Sequence, residues 1–255
     1  MFRRLKEYQF LLEELTKRDF RKKYKRTVLG VFWSVLSPLL TLFVMKLVFT
    51  NFFGRNTEFY TTYLFAGNLI FSYFRESTTL GMSALMNNAD IFSKINIPKY
   101  MFVLSSNVSS LINFMVTLVV FFVFAAIDGI TFSWRFLVLI YPTVCLLIFN
   151  VGVGLILSAM YVFFRDTQYL YSVFTLLLMY MSAIFYQVTS FPVNVQRLFL
   201  LNPVYVFIKY FRVIVIDGNI PSIAFNLLPL FWAAAAMLIG GLIYKKNNQR
   251  FMYYV

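Results

Sequence analysis

Apolar residues make up so much of this chain that a water-soluble fold is excluded. Of its 255 residues, 60% are hydrophobic, and the mean hydropathy is +0.74. Soluble domains are only roughly 45–50% apolar, because most of their surface must face water. The composition therefore predicts an integral membrane protein.

The first 27 residues are the exception, since they hold ten of the 23 Lys and Arg residues. Apolar residues recur among these charges at helical spacing, at Phe2, Leu5, Tyr8, Leu12 and Leu15. The pattern predicts an amphipathic helix over 1–27 that lies in the cytoplasmic interface of the membrane. The segment is too long and too charged for a cleavable signal peptide. A plain interfacial anchor and a docking surface for a cytoplasmic partner both fit it.

The same segment predicts two ion pairs along one helix. Glu13–Lys17 and Glu14–Arg18 are four residues apart with the acid first. This order is the more favourable one on a helix, where each pair contributes roughly 0.2–0.5 kcal/mol.

Six apolar runs are long enough to cross the hydrocarbon core, which takes about 20 helical residues. The fold class predicted is therefore an all-α integral membrane protein, with 1–255 forming one transmembrane domain. Residues 86–100 are a polar connection. Residues 191–217 are apolar but carry three cations and the break Asn202-Pro203, so two short half-helices dipping into the outer interface fit better than a span. The predicted spans are 28–53, 60–85, 101–127, 136–164, 169–187 and 225–244.

The Lys and Arg residues outside these spans fall mostly on one side of the predicted topology. The positive-inside rule makes that side cytoplasmic and places both termini there. The net charge of +13 then reflects cations that flank the spans and meet anionic lipid. We therefore expect membrane lipid, and no nucleic acid, as a partner.

Two charged residues, Arg75 and Glu76, lie inside the second predicted span. A charge at the membrane centre costs about 3 kcal/mol, so both should face protein or a wet cavity rather than lipid. Adjacent residues point in different directions on a helix and pair poorly with each other. A structural ion pair with another helix and a water-filled translocation path both remain open.

Other functional classes lack the residues they need. The chain has no His and one Cys, Cys145, so a His-ligated metal, a His base and an intrachain disulfide are excluded. No G-x-x-x-x-G-K-[ST] motif for nucleotide is present. An integral-membrane transferase would need clustered acids near one leaflet, whereas the loop acids are scattered. An ion-coupled carrier would have only Glu76 as a membrane carboxylate. The scattered acids are Asp90, Asp128, Asp166 and Asp217.

Several short motifs, spread over nearly the whole chain, resemble the polysaccharide-export ABC transporter permeases. Members of that family carry O-antigen, capsule, teichoic acid or related glycans. The matching residues are Arg18-Asp19, Arg21, Lys23-Tyr24-Lys25, Leu29-Gly30, Trp33 and Pro38 near the start, then Phe163-Phe164-Arg165-Asp166, Leu201-Asn202-Pro203 and Arg212.

The resemblance implies a homodimer of six-span subunits in a bacterial or archaeal plasma membrane, with two copies of an ABC ATPase subunit on a separate polypeptide. This chain would then be a transport subunit and not an enzyme. It would hold no cofactor, because ATP and Mg would bind the partner ATPase. The substrate implied is a lipid-linked polysaccharide. A drug- or lipid-exporting ABC permease is the nearest alternative.

The resemblance also suggests three groups of site residues. Residues 86–100 and the N-terminal helix would contact the ATPase, although Arg165 and Asp166 also suit simple helix capping at a tight turn. Aromatic side chains would line the substrate path, because their faces stack on sugar rings without demanding one linkage; the alternative for each Tyr is a position in the interfacial belt. The docking set is Arg18, Asp19, Arg21, Asn87, Asp90, Lys94, Pro98, Arg165 and Asp166; the path set is Trp33, Tyr63, Tyr73, Arg75, Glu76, Tyr161, Tyr169, Tyr180 and Tyr186; the outer-gate set is Asn202, Pro203 and Arg212.

Overall fold

The computed structural model describes residues 8–25, 27–53, 59–92, 94, 97–248 and 250–254, without the side chains of 24, 31, 50–53, 252 and 253. Throughout these residues the regular structure is helical. The first part of the predicted amphipathic helix, including Phe2 and Leu5, lies outside the described residues. The helices are α1 (Gln9–Tyr24), α2 (Trp33–Phe53), α3 (Tyr60–Ser83), α4 (Ala89–Phe92), α5 (Tyr100–Ile127), α6 (Ile140–Phe163), α7 (Thr167–Met181), α8 (Val193–Phe199), α9 (Pro203–Val215) and α10 (Ile223–Asn247).

Within the described residues, three helical stretches are long and apolar enough to cross a membrane. They are Tyr100–Ile127, Trp134–Phe163 and Ile223–Asn247. The pair α8 and α9 makes a fourth if it counts as one span, although it bends by 106° between its two halves. The chain is therefore a multi-pass membrane protein.

The remaining predicted spans form helices with features that a simple span lacks. α3 carries Arg75 and Glu76 and several hydroxyl residues, which lower its hydropathy. α7 ends at Met181, before the predicted end at 187, because residues 182–186 form turns in which Ala183 has a positive φ of 50°. The crossing of α2, α3 and α7 stays a prediction.

The core is built around α3 and α6, which lie side by side in the middle of the helix bundle. α3 also packs on α5, and α6 forms its most extensive contact with α10. Gly152 of α6 faces Gly240 of α10, so these two backbones touch without intervening side chains. The close contact fixes α10 against the bundle.

Polar contacts define two ends of the bundle. At the first, which we call the basic end, Lys23 of α1 pairs with Glu76 of α3, and the Lys99 ammonium donates to the Asn248 carbonyl. At the second, which we call the Arg212 end, Arg212 of α9 meets the start of α3. The helix α1 packs across α5 at the basic end, with Leu15 buried there.

The ion pairs predicted along α1 were wrong. Lys17 pairs with Glu14 at 2.9 Å, three residues away, and this contact raises the pKa of Lys17. Arg18 pairs with its neighbour Asp19 at 2.7 Å, whose other oxygen accepts a hydrogen bond from the Ser105 hydroxyl at 3.1 Å. The tertiary contact with α5 draws Asp19, and Arg18 with it, away from the surface pairing of an isolated helix.

Candidate functional site: a polar cavity at the basic end

A cavity of about 2200 Å³ opens at the basic end. Side chains of α1, α2, α3, α5 and α7 line it. Along α3 the lining runs from Asn68 to Met82, which is about 21 Å by helical rise. The cavity therefore extends from the charged surface well into the apolar part of the bundle.

Of these five helices, the four other than α1 each present one polar stripe to the cavity. On α5 the lining residues recur at steps of three and four, which places them on a single helix face. The same spacing holds on the other three helices. The stripes are Ser106, Ser109, Ser110, Asn113 and Thr117 on α5; Ser34, Ser37 and Thr41 on α2; Asn68, Ser72, Glu76 and Thr79 on α3; and Gln168, Ser172 and Thr175 on α7.

Sequence reasoning missed these hydroxyl residues, although their signal was present. Small polar residues repeated at helical spacing inside three apolar runs, where hydrocarbon would disfavour them. The predicted path residues are aromatic or charged instead. A period count applied to Ser, Thr and Asn would have found the stripes.

The hydroxyls keep their acceptor capacity for a solute. Several donate to a carbonyl of their own helix, as Thr41 does to Ser37 at 2.9 Å and Thr117 does to Asn113 at 3.0 Å. Such a bond satisfies the hydroxyl hydrogen but leaves oxygen lone pairs facing the cavity. The hydroxyl groups of the stripes are therefore neutral and able to accept hydrogen bonds from a polyol or water.

A charged network holds α1 at the cavity mouth. The Lys23 ammonium lies 2.8 Å from one oxygen of Glu76, and the Asn113 amide donates to the other oxygen at 3.1 Å. Glu76 thus joins α1, α3 and α5. The structural ion pair considered for Glu76 is present, and it lies on the cavity wall.

The cavity brings together part of each predicted site. Of the predicted path residues, Trp33, Tyr73, Arg75 and Glu76 line it. Tyr73 is buried and stacks on Phe114, with ring centroids 4.6 Å apart. Of the predicted docking residues, those that also line the cavity are Arg18, Asp19, Arg21 and Asn87.

The other predicted path tyrosines lie elsewhere in the subunit. The Tyr63 hydroxyl donates to the Tyr186 carbonyl at 2.7 Å, and the Tyr186 hydroxyl donates to the Tyr180 carbonyl at 2.8 Å, all at the Arg212 end. Tyr161 hydrogen-bonds Gln168 at 3.2 Å, and Tyr169 is exposed. Within one subunit these five residues do not line the cavity, so their role in a path stays a prediction.

Arg212 is buried at the opposite end and is satisfied by backbone carbonyls. Its guanidinium donates to Tyr63 at 3.1 Å, Ala183 at 2.8 Å and Ile184 at 3.0 Å. The Tyr63 ring lies against the guanidinium carbon at 3.4 Å from its centroid, a cation–π contact. Arg212 therefore ties α9 to the start of α3 and to the turns after α7.

Asn202 organises the neighbouring break between α8 and α9. Its side-chain oxygen accepts hydrogen bonds from Val204 N at 3.0 Å and Tyr205 N at 3.3 Å, which caps α9, and Pro203 fills the first helical position. Its amide nitrogen donates to Ser182 Oγ at 3.0 Å. The Asn-Pro pair thus sets the bend and fixes it against the end of α7.

The polar connection 86–100 is tied to the C-terminal tail. Lys99 donates to Asn248 and lies between two rings, 5.7 Å from Phe92 and 6.0 Å from Phe251. Burial lowers the pKa of Lys99. Phe251 is fully buried and also packs on Phe163. Of the predicted docking residues here, Asn87 donates to Ser83 Oγ at 3.2 Å, while Asp90 lies in α4 and both Lys94 and Pro98 lie between α4 and α5.

The turn before α7 gives a mixed result for the capping interpretation. Asp166 occupies the N-cap position of α7 but makes no side-chain hydrogen bond to the first turn. The Thr167 hydroxyl instead donates to the Phe164 carbonyl at 2.6 Å, and Arg165 lies over the Tyr161 ring at 5.8 Å. Both charged side chains are left exposed beside the basic end.

These features are accompanied by a match along most of the sequence. A family model described as ABC-2 type transporter matches residues 11–216, from α1 through the end of α9. The chain belongs to this family. As an ABC-2 type transporter protein it has a transport role, and the matched range contains every residue that lines the cavity.

Individual relatives align along nearly their full length. The chain is 27% identical over 247 residues to the O-antigen export system permease protein RfbA of Myxococcus xanthus, which covers 93% of this chain and 94% of that protein. It is also 27% identical over 245 residues to a Klebsiella pneumoniae protein of the same name, with 94% and 93% covered. A second Klebsiella pneumoniae protein of that name is 25% identical over 247 residues.

Proposed function

We propose that this chain is the membrane permease subunit of an ATP-driven exporter of a lipid-linked polysaccharide, such as an O-antigen. The observation that carries the proposal is the polar cavity in a member of the ABC-2 type transporter family. Relatives that align along nearly the whole chain are named for O-antigen export, which favours a glycan over a drug or a lipid as cargo.

The chemistry of the wall suits a sugar chain. A polysaccharide presents many hydroxyl groups and must slide, so it needs many weak contacts rather than one tight site. The stripes on α2, α5 and α7 offer neutral acceptors at each helical turn, while Trp33 and Tyr73 offer rings. Each hydrogen bond is worth only about 0.5–1.5 kcal/mol, which allows release from one position before the next is reached.

The working assembly in this proposal is a homodimer of six-span subunits with both termini cytoplasmic. Two copies of an ABC ATPase bind ATP and Mg on the cytoplasmic side, where the basic end lies. The ATPase contacts residues 86–100, α1 and the turn at Arg165-Asp166. Lys99 and Phe251 support this role, because they join residues 86–100 to α10 and α6. The bent pair α8 and α9 forms the outer gate.

The partner is tested by purification from the native membrane in mild detergent. We expect a P-loop ATPase to copurify in a one-to-one ratio, and the ratio to fall when Asp90 and Lys94 are both reversed in charge. The readout is the identity and amount of each copurified chain by mass spectrometry. In the matched control the charge of Arg197, which is exposed on α8 at the other end, is reversed. This change should leave the ratio unchanged. Export that persists in ATP-free vesicles without any ATPase would overturn the proposal.

The polar wall is tested by removing hydroxyls without changing shape. The triple variant Thr41→Val, Thr117→Val and Thr175→Val should slow glycan export about tenfold, because three weak contacts along the path are lost. Folding should be little affected, since each hydroxyl donates only to its own helix.

The matched control for the wall is Thr143→Val on α6. Its hydroxyl makes the same kind of local bond, to the Leu139 carbonyl at 2.7 Å, but does not line the cavity. Export is measured as glycan delivered into inverted membrane vesicles at equal permease content. Equal rates for the triple variant and the control would contradict a path along these stripes.

A further inference from the structure

The lining of the cavity has an excess of positive charge that the chain itself does not neutralise. Seven basic and three acidic residues line it. The excess lies on and just after α1 and at Arg75 in the second half of α3, beside the neutral hydroxyl stripes. The basic residues are Lys17, Arg18, Arg21, Lys22, Lys23, Lys25 and Arg75; the acidic residues are Glu14, Asp19 and Glu76.

Each of the three acids is already paired with one cation. Glu14 pairs with Lys17 at 2.9 Å, Asp19 with Arg18 at 2.7 Å, and Glu76 with Lys23 at 2.8 Å. The other four cations have no carboxylate within 4.0 Å in the part of the chain that the structure describes. These four are Arg21, Lys22, Lys25 and Arg75.

Arg75 is the most informative of the four, because it is on a helix of the bundle. It lies eight residues before the end of α3 at Ser83, about 12 Å by helical rise. Its neighbour Glu76 is occupied by Lys23 and Asn113 and does not neutralise it. An arginine at such a depth is costly unless an anion or a set of carbonyls satisfies it. Arg212 has its carbonyls, whereas Arg75 faces the cavity.

We propose that Arg75, together with Arg21 and Lys22 of α1 and Lys25 directly after that helix, forms a binding site for a phosphate or diphosphate group. The inference rests on the proposed function and deepens it, because a lipid-linked glycan carries such a group between its lipid and its first sugar. A guanidinium binds two phosphate oxygens at once in a planar fork, and nearby ammonium groups add charge without strict geometry. A diphosphate matches the excess of four cations better than a single carboxylate does.

The site lies between the regions that would hold the sugars and the lipid of such a substrate. When the anion is bound at Arg75, the sugars lie beside the neutral stripes of α5 and α7, and the lipid extends toward the membrane side of the bundle. The Lys23–Glu76 pair contributes by keeping Glu76 from neutralising Arg75. The same chemistry would also hold the headgroup of an anionic bilayer lipid, so the source of the phosphate is decided by experiment.

The probe is geranylgeranyl diphosphate, a short polyprenyl diphosphate, added to the purified permease–ATPase complex in nanodiscs of neutral lipid. We expect saturable binding to the wild type, at least tenfold weaker binding to Arg75→Gln, and an intermediate loss in Arg75→Lys, which keeps the charge but not the fork. Arg197→Gln at the opposite end is the matched control and should bind as the wild type does. Inorganic pyrophosphate should compete, and the uncharged alcohol geranylgeraniol should not bind.

The comparison of lipids identifies the source of the phosphate. Nanodiscs that contain phosphatidylglycerol should leave the affinity within twofold if the site selects a polyprenyl diphosphate. A tenfold loss would instead make the site one for bilayer headgroups, which overturns the substrate role. Equal binding by Arg75→Gln and the wild type, with both monodisperse, would overturn the site itself. Normal diphosphate binding by a complex that exports no glycan would contradict the proposed function and leave the site intact.

Discussion

Replacing Arg212 with Met is expected to destabilise the permease by several kcal/mol and to abolish export. The guanidinium donates to three carbonyls that belong to α3 and to the turns after α7, and it is almost fully buried. Met fills similar volume but leaves the carbonyls of Tyr63, Ala183 and Ile184 without these donors. A buried polar group without a partner costs about 1–3 kcal/mol. The link between α9 and the start of α3 would also be lost.

The measurement is the midpoint of thermal unfolding in detergent, followed as the monodisperse fraction after heating, with export assayed in vesicles. Arg197→Met is the matched control, since Arg197 lies on the adjoining α8 and is exposed. Arg212→Lys should recover only part of the stability, because one ammonium cannot reach three carbonyls in different directions. A midpoint within 2 °C of the control would show that the carbonyls find other donors, and it would contradict the predicted loss of stability.

The bend at the Arg212 end was predictable because its determinants are local. Asn202 and Pro203 are a helix stop followed by a helix start, and three cations in 191–217 argued against a simple span. The structure confirms a break between α8 and α9 at this pair. The partner of Arg212 was not predictable, because its acceptors are carbonyls of Tyr63 and Ala183, which carry no sequence signature.

For α1 as well, the local structure could be predicted from the sequence, whereas the tertiary contacts could not. The helix itself follows from its periodicity, and it is present from Gln9. Its ion pairs depend on which neighbours arrive from elsewhere, so spacing alone chose the wrong partners. The Lys23–Glu76 pair joins residues 53 positions apart. The sequence could predict only that Glu76 faces protein or a cavity, because a charge in lipid is costly.

Within one subunit, chemical analogy placed only some of the predicted path residues at the cavity. Aromatic residues were chosen because they stack on sugars, yet 20% of the chain is aromatic, so an aromatic residue alone discriminates little. Tyr63 and Tyr186 use their hydroxyls to hold backbone carbonyls at the Arg212 end. The less common hydroxyl stripes on α2, α5 and α7 are the ones that share a cavity.

Replacing Gly240 with Ala is expected to separate α6 from α10 and to lower stability by about 1–3 kcal/mol, the usual cost of overpacking. A β-carbon at Gly240 would lie 2.5 Å from the carbonyl oxygen of Gly152 and 3.1 Å from the side chain of Leu155. The first of these neighbours is backbone, so no rotamer change relieves it. Because this is the most extensive helix contact in the bundle, the displacement should reach the buried residues around it.

The next residue in the same helix supplies the control. A β-carbon at Gly241 meets nothing within 4 Å, so Gly241→Ala should be neutral or more stable, since Ala favours a helix over Gly by about 1 kcal/mol. The two variants have identical composition and differ only in the face that carries the methyl group. We expect the thermal midpoint in detergent to fall for Gly240→Ala and to hold or rise for Gly241→Ala. Equal midpoints would mean that α10 does not pack on α6 through Gly152, because propensity alone predicts the same gain for both.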